Sequence, residues 1–183
     1  PSHALAWRLA GPIILANLSV PMLGAVDTAV MGHLPDAAYL GGVAVGAVVF
    51  QFIYWGFGFL RIGTTGLVAQ AYGADDQAEL RAILLRSLLI ARCAGVTLWL
   101  LQSPIFTVAA TLFDASAEVE GYAHAYFRIR IWSAPATLAN YCLIGWFIGV
   151  RNTRAALILQ LWMNGLNIIL SITFVVGFKW GVE

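Results

Sequence analysis

Charge is scarce along this chain: Asp, Glu, Lys and Arg make up 10% of its 183 residues, against 61% hydrophobic ones. In water-soluble domains the charged share approaches a quarter, so the composition excludes that class and marks an integral membrane protein. Neither sign dominates. Ten Lys and Arg against nine Asp and Glu leave a net charge of +1, so the total suits no nucleic-acid partner, and the lipid bilayer is the partner the composition names. Cysteine is nearly absent too. Cys93 and Cys142 stand in apolar runs with neither a CxxC spacing nor a metal-ligand pattern, which excludes a disulfide framework, gives no metal site and leaves packing as their role. HExxH, GxSxG and Walker A patterns are missing, and no two intramembrane acids could serve as a protease dyad. Neither an enzyme nor a cofactor is expected.

The N-terminus shows no pattern of a cleavable signal peptide, so the first apolar run is expected to remain as a helix. With no initiator Met before Pro1 and a stop after Trp180-Gly-Val-Glu183, we expect a portion of a larger polypeptide.

Hydropathy and charge placement predict an all-α, polytopic transmembrane bundle. Its spans cover about residues 5–31, 39–71, 79–107, 122–150 and 155–178. Positions 37 to 60 carry no charge whatever, which is a strong spanning signal. Gly42 and Gly46 offer a small face for close helix packing, and a break in the third span is expected near Pro104. Connections are short and no linker marks a second domain. Arg8, Arg81, Arg86, Arg151 and Arg154 gather on the side shared by the N-terminus and the second and fourth turns. That side is expected to be cytoplasmic.

Inside the first span one residue stands apart. Between Leu9 and Met31 the only ionisable side chain is Asp27. Such an acid costs about 2.5–3.5 kcal/mol at a helix centre, so it faces a cavity, finds a partner or holds a proton. The same span contains Pro12 and Pro21, each removing a backbone hydrogen bond where a helix can bend. In the fifth span Gln160, Asn164, Asn167 and Ser171 recur at intervals of 4, 3 and 4, which puts four hydrogen-bonding side chains on one stripe. A shorter stripe in the fourth span contains Ser133, Thr137 and Asn140. Such stripes either glue helices together or wall a hydrated cavity. Arg61, near the inner part of the second span, is read as snorkelling or pairing; Arg92, deeper in the third, has no evident partner in the sequence.

Four patches then come into view in order: Val26-Asp-Thr-Ala-Val-Met-Gly-His-Leu34, Tyr39-Leu-Gly-Gly-Val-Ala-Val-Gly46, Thr64-Thr-Gly-Leu-Val-Ala-Gln-Ala-Tyr-Gly73 and Gly145-Trp-Phe-Ile-Gly-Val150. Together they resemble the multidrug and toxic compound extrusion (MATE) transporters. Phe59-Leu-Arg61 and Trp132-Ser-Ala-Pro-Ala-Thr-Leu-Ala-Asn140 are similar to the bacterial DinF-like branch. The resemblance implies a twelve-helix secondary exporter of two six-helix lobes, of which this chain would hold helices 1 to 5 of the N-terminal lobe and enter the sixth. The C-terminal lobe of the same polypeptide would be its partner. It further implies export of small organic, often cationic or amphipathic substrates from a bacterial inner membrane, driven by protons or sodium ions. By similarity Asp27 matches the acid that carries the coupling cation, Asn167 an asparagine of the same cavity, and Pro12 a proline of helix bending. Ser171 stands where proton-coupled members often have a second Asp. That departure makes a sodium site less expected than a single-proton one. Rival readings are a lipid-linked saccharide flippase of the same superfamily and a non-transporting membrane scaffold.

Overall fold

The computed structural model describes residues 7, 10–11, 13–15, 18, 37–113 and 115–171, the side chains of 37, 167, 168, 170 and 171 excepted. From residue 37 the elements follow as α1 (Ala37–Gly56), α2 (Phe59–Gly73), α3 (Gln77–Leu100), α4 (Gln102–Phe113), α5 (Ala117–Arg130), a 3-10 turn (Ile131–Ser133), α6 (Ala134–Gly149) and α7 (Thr153–Ser171). No strand occurs among the described residues. Three stretches among them are long and apolar enough to cross a membrane, Ala38–Gly73, Gln77–Leu100 and Ala117–Gly149. Large apolar side chains such as Trp55, at 82% exposure, and Leu112 lie on the outside, where a soluble protein would place polar groups and a membrane protein meets lipid.

Local chemistry sets the ends of these helices. Asp76 caps α3 by accepting from the Glu79 N–H at 2.9 Å, satisfying a donor that the first turn leaves without an intrahelical partner. Glu79 also accepts from Arg86 Nη1 at 3.0 Å. Ser116 does the same capping for α5 with the Val119 N–H at 3.4 Å; Glu118 and Glu120 occupy its first turn, and Arg128 and Arg130 its last. Both ends therefore oppose the helix dipole with charge of the favourable sign. Asn152 Oδ1 accepts from the Ala155 N–H at 3.2 Å and opens α7.

The second and third spans are each interrupted once. Between α1 and α2 the chain tightens at Phe57 and Gly58, with Leu60 N–H donating to Phe57 O at 3.0 Å and Arg61 N–H to Gly58 O at 3.2 Å. These i to i+3 bonds are a 3-10 step. The break in the third span falls at Leu101, not at Pro104. Pro104 is the third residue of α4, where its missing N–H has no intrahelical acceptor to lose.

Packing centres on α6, which lies against α2, α3 and α7, while α1 pairs with α5. The main core joins Phe50 of α1, Ala91 and Leu98 of α3, Phe127 of α5, and Leu138 and Cys142 of α6. Phe50 and Phe127 stack with ring centroids 4.9 Å apart and planes 21° from parallel, and each is almost wholly buried. Small residues set the spacing. A Cβ added at Gly42 would lie 2.9 Å from the Ala123 nitrogen, and one at Gly46 would lie 3.1 Å from Tyr126 Cε1, so α5 rests on the face that the two glycines open. Cys142 fills a packed position and its Sγ donates to Ser87 O at 3.3 Å.

Candidate functional site

A cavity of about 390 Å³ lies where α2, α6 and α7 meet, and Ile13 of the first apolar segment adds to its wall. From α7 the lining comes at Thr153, Ala156, Leu157 and Gln160, the i, i+3, i+4, i+7 pattern of a single helical face. From α6 it comes at Ile144 and Ile148, and from α2 at Arg61, Ile62, Thr65 and Gly66. The walls are thus mostly aliphatic, with a cation, two threonine side chains and an amide set into them. That mixture is typical of small-molecule sites.

Two of the walls, α6 and α2, approach each other closely. A Cβ at Gly145 would stand 2.6 Å from the carbonyl oxygen of Arg61, so only glycine lets the two backbones come this near. Thr65 Oγ1 sits 2.8 Å from Arg61 O and 3.2 Å from Gly145 O. Its one proton is shared between two carbonyls, which fastens the helices together and leaves the hydroxyl only its lone pairs for anything else.

The polar residues expected from the sequence divide into groups. Gln160 and Asn164 come together: Gln160 Nε2 donates to Asn164 Oδ1 at 3.2 Å, with Gln160 in the cavity wall and Asn164 buried. Asn140 and Thr137 sit half-buried on α6 and are not among the cavity's lining residues. The Asn140 Oδ1 atom is buried and has no hydrogen-bond partner among the described residues, and the same holds for the Tyr54 hydroxyl. A buried acceptor left open in this way is uncommon, because desolvation without a replacement bond is costly. Asn167 and Ser171 lie within α7, but their side chains lie outside the described residues. So do Asp27, Pro12 and Pro21.

Sequence reasoning missed Arg61 and Thr65 as parts of a site. The available signal was a cation at the start of a Phe59-Leu-Arg-Ile-Gly-Thr-Thr65 run whose small residues, Gly63, Thr64 and Thr65, suit close packing on one side. The sequence reads Arg61 as snorkelling or pairing, and in the structure it is among the residues that line the cavity, as Gln160 is. Among the described residues the one salt bridge is Arg86 with Glu79, so Arg61 has no carboxylate counterpart there. No group of His, Cys, Asp and Glu among them could hold a metal ion.

Membrane-length helices, lipid-facing apolar side chains and a partly polar cavity between helices define the class: a multi-pass, all-α membrane protein. The MatE family model matches residues 12–173, and the chain belongs to that family, within its DinF-like branch. It is 46% identical over 182 residues to DNA damage-inducible protein F of Escherichia coli K12, covering 100% of this chain and 40% of that protein. Against multidrug resistance protein PmpM of Pseudomonas aeruginosa the identity is 30% over 173 residues, 92% of this chain and 35% of PmpM. A crystal structure of MATE in complex with MaD3S superposes with a TM-score of 0.88 at 23% identity, over 97% of this chain and 40% of that one. That likeness speaks for the fold. The chain therefore spans about 40% of the length of the first of these relatives.

Proposed function

We propose that this chain is the greater part of the N-terminal lobe of a proton-coupled secondary antiporter that exports small organic, often cationic or amphipathic compounds across a bacterial inner membrane, its N-terminus cytoplasmic. The observation that carries the reading is the cavity between α2, α6 and α7, with Gln160 in its α7 wall hydrogen-bonded to the buried Asn164. Membership of the MatE family supports it, as does similarity to a relative named a multidrug resistance protein.

In this reading Asp27 is the coupling group. A poorly hydrated carboxylate favours its neutral form, so Asp27 takes up a proton from the outward-facing state. Once neutral it is a donor as well as an acceptor. It then exchanges hydrogen bonds among Asn140, Asn164 and Asn167, and the first span shifts about Pro12 or Pro21, where backbone bonds are already missing. The open Asn140 Oδ1 supplies an acceptor that a protonated acid would fill. Ser171 carries no charge, so one acid does the coupling and a proton is favoured over sodium. Alternating access requires the second lobe to move against this one. Replacing Asp27 with Asn in the full-length protein tests the reading: export driven by a proton gradient is lost while membrane insertion persists, and undiminished export overturns it.

A further inference from the structure

We propose that Arg61 makes the α2/α6/α7 cavity a carboxylate-binding subsite, so that its ligand is an amphiphile with an apolar body and one acidic group; this deepens the export reading, on which its role in transport rests. Two observations and one chemical constraint converge on it. Arg61 lines the cavity and has no salt-bridge partner among the described residues. A guanidinium cannot shed its charge by deprotonation inside a protein; Arg61 is exposed and its charge acts on the neighbouring Tyr141, which is no anion, so within a membrane interior an anionic group is what would neutralise it. The remaining walls, mostly aliphatic residues such as Ile13, Ile62, Ile144 and Ile148 with Thr153 among them, offer no charge and suit a hydrocarbon or aromatic body.

Of the polar groups around the cavity, Arg61 and Gln160 keep donors for an anion, while Thr65 presents only lone pairs. The Thr65 proton is engaged by the carbonyls of Arg61 and Gly145. Gln160 spends one N–H on Asn164 and keeps a second, which together with the planar fork of Arg61 gives a carboxylate more than one donor. An ammonium group would meet the like charge of Arg61 instead. At about 390 Å³ the space falls at the small end of ligand pockets, enough for a bicyclic body.

Equilibrium binding of radiolabelled 1-naphthaleneacetate and of its neutral amide, 1-naphthaleneacetamide, to the full-length protein in nanodiscs tests this directly. The unsubstituted protein should hold the acid at least about tenfold more tightly than the amide, as a charge-assisted bidentate pair requires. R61Q should bring the two within about twofold. R61K, which keeps the charge and loses the fork, should fall between. Equal binding of acid and amide by the unsubstituted protein overturns the proposal, as does an acid preference that survives R61Q. If R61Q does not elute as a monodisperse species, R61K decides, and a preference it leaves undiminished counts against the subsite. D27N should lose proton-driven export and keep the acid preference, so failure of the coupling reading and failure of the subsite are separately visible.

Discussion

Gly145 lies against the backbone carbonyl of Arg61 so closely that a methyl group on its α-carbon would stand 2.6 Å from that oxygen. The contact brings α6 onto α2, two of the helices that wall the cavity. Gly145→Ala should therefore destabilise the protein by about 1–3 kcal/mol, since a backbone oxygen cannot swing aside as a side chain can. Gly165 of α7, where an added Cβ meets nothing within 4 Å, is the control: Gly165→Ala should be neutral or slightly stabilising through helix propensity. Thermal unfolding midpoints of the full-length protein in detergent compare the two. A Gly145→Ala midpoint equal to that of the Gly165→Ala protein contradicts the packing described.

Asn140 separates a structural from a functional polar group. Its Oδ1 is buried without a partner among the described residues, and leaving an acceptor in that state costs free energy. Asn140→Leu removes the amide at similar volume. It should leave thermal stability unchanged or raised while export driven by a proton gradient falls at least about tenfold, the equivalent of one lost hydrogen bond to a charge-carrying group. A lowered midpoint would show the amide to be interhelical glue.

Much of the architecture was legible from local features and much of the site was not. The uncharged run from 37 to 60 announces a span by itself, and Gly42 with Gly46 marks the face that α5 covers. The stripe spacing of α7 brings Gln160 and Asn164 within hydrogen-bonding distance because helical periodicity alone decides it. Arg61 shows the limit. Whether a cation in a span meets headgroups or a cavity depends on which helix lies beside it, and here that is fixed by Gly145, 84 positions away in the chain. Pro104 shows another, since a proline breaks a helix in its interior but fits within a first turn. The turn at Phe57 and Gly58 falls inside an uncharged, largely apolar run, where hydropathy has no edge to detect.

The connection between α2 and α3 offers a test away from the cavity. Asp76 accepts from the Glu79 N–H at 2.9 Å, so Asp76→Ala should cost about 1 kcal/mol of stability, whereas Asp76→Asn, which keeps an accepting oxygen, should cost little. Thermal midpoints of the two variants should differ in that order. Equal midpoints would mean that the cap contributes nothing beyond the packing of α3 on α6.

Coupling through one acid is the claim on which the transport reading turns. The most direct measurement is substrate efflux from proteoliposomes containing the full-length protein, with an imposed proton gradient, for the unsubstituted protein and for Asp27→Asn. The account predicts that Asp27→Asn inserts and reconstitutes normally yet shows no gradient-dependent efflux. Efflux by Asp27→Asn that still rises with the gradient would contradict it.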